Sequence, residues 1–248
     1  MIMIGYDFCS SLYHVLLSTS QLFSHLGHCY KRSDPKKAIA AFRESISMLC
    51  DAGRLSQAAR LSKETGELFE NDDEEGSVAL AIESYQQAAD LYDMEQQKSQ
   101  ASQCLVKVAE LSSAALDPPQ FLEAAGLYEK LGKDCLESNL LKYNAKGYFL
   151  QCILCHLANQ DSVGAEKAMS MFTSIDFTFR ESREGKFAEE LVACVTGFDS
   201  EGFATACFEY DRISKLDAWK TTLLLSVRKS VEGGGDGGLG DDDDLDLT

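Results

Sequence analysis

Cys152-Ile-Leu-Cys155-His156 has the C-x-x-C-H form that attaches haem covalently, with two thiols for the vinyl groups and an imidazole for the iron. It lies, however, inside the continuous helical run Tyr148–Leu157, where buried small thiols are the plainer reading. His25-x-x-His28-Cys29 has metal-ligand spacing on a helix but lacks a matched second half elsewhere. There is no G-x-x-x-x-G-K-[ST] and no G-x-G-x-x-G entering a helix. The run Gly233–Gly240 carries no Lys, Ser or Thr to hold phosphate and reads as a flexible linker. Carboxylates are plentiful, but nothing singles out a pair for acid/base work. The expectation is a protein that is not an enzyme and uses no cofactor or metal.

The charges are more informative. Lys plus Arg number 23 against 40 Asp plus Glu, a formal net charge of −17. Seven acidic residues lie from Val231 onward, leaving −10 on residues 1–230. A body of that sign is a poor general binder of nucleic acid or of anionic membrane. Lys31 and Arg32 end one helical segment, Arg54 and Arg60 open the next, Lys107 sits in an apolar helix, and Lys142 and Lys146 are i,i+4 neighbours. They are either ordinary solvated charges or a local basic stripe on an acidic body. The end, Asp241-Asp-Asp-Asp-Leu-Asp-Leu-Thr248, is expected to lack structure on its own. It is either a solvating tail or a ligand for a basic, partly apolar pocket.

These groups must be held by helices. Hydrophobic residues make up 45% and charged residues 25%, an ordinary globular balance, and prolines number only three. Long segments free of Gly and Pro and rich in Ala, Leu, Glu, Lys and Gln predict an all-α chain. No apolar run approaches the ~18–20 residues of a membrane span. Nine singly scattered cysteines, and a start without Lys or Arg before Lys31, point to a reducing, cytosolic compartment.

A small residue followed four later by an aromatic recurs at Ala38/Phe42, Ala81/Tyr85, Ala124/Tyr128, Ala168/Phe172 and Ala204/Phe208, at spacings of 43, 43, 44 and 36. Both members fall on one helix face, the small one admitting a neighbouring helix and the ring filling the space beside it. That is the second-helix pattern of tetratricopeptide-like arrays. First helices are expected at about Leu55–Phe69, Ala101–Ala115, Asn139–Leu157 and Glu184–Val195. Asp34-Pro35 caps and opens one helix, Gly53 stops it, and Asn71–Gly76 and Asp117-Pro118-Pro119 break the chain. Leu216, Trp219, Leu223 and Val227 form the apolar stripe of a closing helix. The expected organisation is an irregular or atypical segment 1–21, a tetratricopeptide-like α-solenoid over 22–230 with a C-terminal helical cap, and a Gly/Asp-rich tail over 231–248. Such an array is an interaction scaffold by default.

Several blocks resemble the α-type soluble NSF attachment proteins. They are Ser33-Asp-Pro-x-x-Ala-Ile, Gly53-Arg-x-x-x-Ala-Ala-Arg60, Ala81-Ile-Glu-Ser-Tyr-Gln-Gln-Ala-Ala-Asp-Leu-Tyr92, Cys104-Leu-Val-Lys-Val-Ala, Leu140-Leu-Lys-Tyr-Asn-Ala-Lys146-x-Tyr-Phe, Cys155-His156 and, most specifically, Glu209-Tyr-Asp-Arg-Ile-Ser-Lys-Leu-Asp-Ala-Trp219-Lys-Thr-Thr-Leu-Leu-Leu. The resemblance runs from about Leu26 to the C-terminus. It implies an adaptor of vesicle transport and membrane fusion, peripheral on the cytosolic face of endomembranes, as in ER–Golgi traffic. Such an adaptor grips the assembled SNARE bundle of syntaxin-type and synaptobrevin-type helices. It recruits and stimulates the hexameric AAA ATPase NSF for disassembly.

By the same resemblance, Arg32, Arg54, Arg60, Lys107, Lys142 and Lys146 match the basic SNARE-binding face. Asp241, Asp242, Asp243, Asp244, Leu245, Asp246 and the penultimate Leu247 match the ATPase-docking end, with Leu245 a competitor for the role of Leu247. The family's further N-terminal hairpins and membrane-touching loop have no counterpart in Met1–Ser20, so the chain is expected to be N-terminally shortened. The alternative is a tetratricopeptide-like scaffold for another helical or acidic partner.

Overall fold

The computed structural model describes residues 3–72, 74–137 and 141–234. Among them every regular element is helical: α1 Met3–Tyr30, α2 Pro35–Asp51, α3 Leu55–Glu70, α4 Ser77–Met94, α5 Lys98–Ala114, α6 Phe121–Glu137, a 3-10 turn Lys142–Asn144, α7 Ala145–Ala158, α8 Ser162–Ile175, the short α9 Thr178–Glu181, α10 Arg183–Thr196, α11 Ser200–Ile213 and α12 Ala218–Gly234. The chain forms two compact units, Met1–Gln120 and Phe121–Thr248. Helix α1 runs across the expected boundary at residues 21/22, so residues 3–21 are helical.

The local signals act as their chemistry requires. Asp34 Oδ1 accepts from Lys37 N–H at 3.2 Å with Pro35 at the first helical position, and Gly53 ends α2 at φ +67°. Asp161, Ser182 and Asp199 cap α8, α10 and α11 in the same way, each accepting from a glycine N–H three residues on. Gly53, Gln96, Gln160 and Phe198 all stand at positive φ after their helices. In each case the next residue's N–H bonds back across the turn: Arg54 to Leu49 O, Gln97 to Tyr92 O, Asp161 to His156 O and Asp199 to Cys194 O. One turn geometry therefore recurs four times, and only one copy uses the glycine that the conformation favours.

In unit 1, α1 packs on α2, α2 on α3, α3 on α4 and α4 on α5. The rings of the second helices fill clefts left by glycines on the first. A Cβ at Gly27 would lie 2.4 Å from the Phe42 ring, and one at Gly66 would lie 3.1 Å from Tyr85. Ala38, Phe42, Ala81 and Tyr85 are all buried. In unit 2 the ring meets another ring. Phe172 stacks on Phe149 with centroids 4.1 Å apart, and Phe179 meets both edge-on.

The fifth repeat pair differs from the expectation. Ala204 is exposed and Phe208 is 67% exposed. The buried register is Ala206/Tyr210, with Tyr210 stacked on Phe187 at 4.2 Å. The sequence offers two Ala-x-x-x-aromatic pairs two residues apart, and packing against α10 selects the second. Helix α12 closes unit 2 through Leu223, Val227 and Val231 against α7, and Trp219 meets the buried ring of Tyr128 edge-on at 5.4 Å. The expected capping stripe thus extends one turn further, while Leu216 and Trp219 at its start are only half-buried. The expected first helix Asn139–Leu157 begins as α7 only at Ala145.

Candidate functional site

Two adjoining grooves lie in unit 1 between its first-type helices. One, about 490 Å³, is walled by α1 and α3 and floored by α2, with Ser24, His25, His28, Ser45 and Arg60 among its lining. The other, about 680 Å³, carries Lys31, Arg60, Lys63, Glu64, Glu67 and Tyr92. Arg60 borders both because it sits on the exposed side of α3, four residues before Glu64. Ser45 Oγ donates to Ser20 O at 2.8 Å, which satisfies the floor's buried hydroxyl.

The cations of this region are not bare. Glu64 has 19% of its side chain exposed and stands 3.4 Å from His28 Nδ1, 3.5 Å from Lys31 Nζ and 4.0 Å from Arg60 Nε. Lys31 also reaches Glu67 at 3.7 Å. Farther along α3, Lys107 Nζ donates to Glu70 Oε1 at 2.8 Å and lies 3.8 Å from Glu110, while Tyr85 Oη donates to Glu70 Oε2 at 2.7 Å. Burial raises the Glu70 pKa, but the hydrogen bonds from Lys107 and Tyr85 and the Lys107 charge outweigh it, so the carboxyl falls below its ordinary value. For Lys107, burial favours the neutral amine; the hydrogen bond to Glu70 and the surrounding carboxylates outweigh it, and the pKa rises.

Of the basic positions expected to act together, Arg60 lines the grooves and Lys107 forms the Glu70 pair. Arg32 and Arg54 are exposed at the α1–α2 and α2–α3 turns. In unit 2, Lys142 is exposed at the 3-10 turn and Lys146 is half-buried in the first turn of α7. Lys63, absent from the expected set, joins the second groove. Its signal was its place three residues from Arg60 on one helix face. Asp241 to Asp244, Leu245, Asp246 and Leu247 lie outside the described residues, as does Leu140.

The thiol motif is built into the core. Cys152 and Cys155 are fully buried beside Leu150, Ile153 and Leu154. Burial pushes the Cys152 thiol up to about 12 and the Cys155 thiol well above its ordinary value. A thiol so strongly held in its protonated form packs as a small apolar group. His156 turns away to Asp161, Nδ1 to Oδ2 3.3 Å. His25, His28 and Cys29 are exposed, and His28 is committed to Glu64 and to an edge-on contact with Phe42 at 5.1 Å. Among the described residues no group of three or more His, Cys, Asp or Glu could hold a metal ion. No described helix is long and apolar enough to cross a membrane.

Comparison with known proteins gives this arrangement a family. The family model described as soluble NSF attachment protein matches residues 17–232. The α-soluble NSF attachment protein of Vitis vinifera is 37% identical over 86% of this chain and 72% of its own length. The β-soluble NSF attachment protein of Bos taurus is 35% identical over 87% and 70%. The vesicular-fusion protein Sec17 of Coprinopsis cinerea is 36% identical over 82% and 68%. These are names of attachment and fusion proteins rather than of enzymes. With residues 17–232 matched and repeated helix pairs throughout both units, the chain belongs to the soluble NSF attachment protein family.

Proposed function

We propose that this chain is an adaptor that binds assembled SNARE complexes and recruits the NSF ATPase for their disassembly in vesicle transport and membrane fusion. The observation that carries the reading is the family match over nearly the whole helical body, 17–232. The groove-side cations of unit 1 support it, because an acidic helical bundle is the kind of partner that a local basic face on a protein of net charge −17 would select. Arg32, Arg54, Arg60 and Lys107 in unit 1 and Lys142 and Lys146 in unit 2 contact the SNARE bundle. Asp241 to Asp244, Leu245, Asp246 and Leu247 dock on basic pockets of the ATPase and stimulate it, with the glycine run giving reach. Residues 22–230 act as the SNARE-binding body and 231–248 as the docking tail. The protein works on the cytosolic face of endomembranes, held there through its partners.

The test is reconstituted disassembly with NSF, ATP and a preassembled soluble SNARE complex, using the full chain and a version ending at Val231. The expected result is binding by both and disassembly by the full chain alone. Absence of binding by either would leave a helical-repeat scaffold for some other partner.

A further inference from the structure

Helix α3 carries its charges in the order opposite to the one that its own dipole favours. Arg54 stands at its N-cap and Arg60 in its first half, whereas Glu67 and Glu70 occupy its last turn, where no basic residue sits. Carboxylates at a helix C-terminus oppose the partial negative charge of the free carbonyls, so helix stability does not explain them. What they face does. Glu64 and Glu67 reach Lys31 in the turn that follows α1, and Glu70 reaches Lys107 on α5. Lys31 lines the second groove, and Lys107 comes from the neighbouring helix α5. Tyr85 fixes the outermost carboxylate by donating to Glu70 at 2.7 Å, so Glu70 cannot swing away from Lys107 without losing that bond.

We propose that Glu64 and Glu70 are built-in competitors for the acidic partner: they occupy Arg60, Lys31 and Lys107 in the free protein and so set how weakly, and how reversibly, an acidic helical surface is held. This rests on the adaptor reading above. An arriving carboxylate must share or displace an internal one that already satisfies the ammonium, so each cation contributes less than a bare one would. Because the groups are 19–64% exposed, the competition is screened by salt, on a Debye length of ~8 Å at physiological ionic strength. A partner gripped this way can be released once the adaptor's work is done. A groove of unmasked cations would hold it after every cycle.

The experiment uses the full chain and the isosteric variants Glu64→Gln, Glu70→Gln and their double. Gln at position 70 still accepts from Tyr85, and the single Glu64→Gln leaves that bond untouched, so folding is preserved in at least one variant. Binding is measured by fluorescence anisotropy to an assembled soluble SNARE bundle and, separately, to a synthetic polyglutamate peptide, at low and high salt. The double variant is expected to bind both probes about tenfold more tightly at ~0.05 M salt, with the gain fading toward 0.5 M. Multiple-turnover disassembly should slow while the first turnover is unchanged.

Bundle binding by the wild type with no gain, or a loss, in variants of unchanged melting temperature overturns the proposal and leaves the two carboxylates as purely structural ties. If neither chain binds the bundle but the variants gain on polyglutamate, the adaptor reading falls and the masking stands. No gain on polyglutamate overturns the masking.

Discussion

Gly132 of α6 lies directly against the ring of Phe149 on α7: a Cβ there would stand 2.4 Å from Cε1, closer than any real contact. The ring is fully buried, stacked on Phe172 and met edge-on by Phe179, so it has nowhere to retreat. Gly126, six residues earlier on the same helix, has nothing within 4 Å of its missing Cβ and is exposed. Gly132→Ala should therefore destabilise by about 1–3 kcal/mol through overpacking. Gly126→Ala should stabilise by up to about 1 kcal/mol through helix propensity. Urea midpoints of the two single variants check the pair, and a fall for both would mean that the α6–α7 contact is not packed as described.

The choice between the two repeat pairs on α11 has a direct consequence. Tyr210 is buried and stacked on Phe187, whereas Phe208 is 67% exposed. Tyr210→Ala should cost about 3 kcal/mol, in the range of large-to-small core changes. Phe208→Ala should stay within about 0.5 kcal/mol of the parent. Thermal melts of the two variants decide, and the reverse order would restore Ala204/Phe208 as the packed register.

Cysteine accessibility should separate the two halves of the sequence's chemistry. Cys29 is exposed, while Cys152 and Cys155 are fully buried with thiols held protonated at neutral pH. Brief alkylation of the native chain at pH 7 should label Cys29 and spare Cys152 and Cys155 until denaturant is added. Peptide mass mapping reads the order, and early labelling of Cys152 would show that the α7 core opens readily.

The Glu70–Lys107 pair predicts a pH window. Glu70 has its folded pKa below the ordinary carboxylate value, so its contribution is complete above the unfolded pKa of about 4.3 and is lost as pH falls through the folded one. Lys107 has its folded pKa raised, so its contribution is present below about 10.4 and is lost as pH rises through the folded value. The side chains are 28% and 41% exposed, which limits the pair to about 1 kcal/mol or less. The stability gap between wild type and Glu70→Gln should be steady from pH 5 to 9 and shrink below pH 4. Urea titrations at those pH values test it, and a gap that widens in acid would contradict the assigned sign.

Non-glycine residues at positive φ offer a fifth test. Gln96 and Gln160 stand at φ +57° and +58° in the same turn that Gly53 makes at +67°. Replacing either by Gly should raise stability by up to about 1 kcal/mol, because glycine adopts this region without the steric cost borne by a Cβ. Phe198→Gly, at φ +52°, removes an exposed ring as well and should gain comparably. Calorimetry would show the gain as a higher Tm, and a lower one would mean that the side chains hold these turns.

The sequence by itself determined what depends on local chemistry. Helix type followed from composition, the ends of α2 from Asp34, Pro35 and Gly53, and the repeat from alanine and a ring four residues apart. These signals are legible because each acts within one or two turns of its own chain. Only the tertiary structure decided matters that need two elements at once. Whether Ala204/Phe208 or Ala206/Tyr210 is buried depends on where Phe187 of α10 stands. The turns at Gln96, Gln160 and Phe198 were invisible because packing of the flanking helices imposes a positive φ that the residue types do not request. Above all, Arg60 and Lys107 read in sequence as cations on an acidic chain. The pairing of Lys107 with Glu70, brought together from α5 and α3, needed the tertiary structure, whereas Arg60 and Glu64 are i,i+4 neighbours on α3.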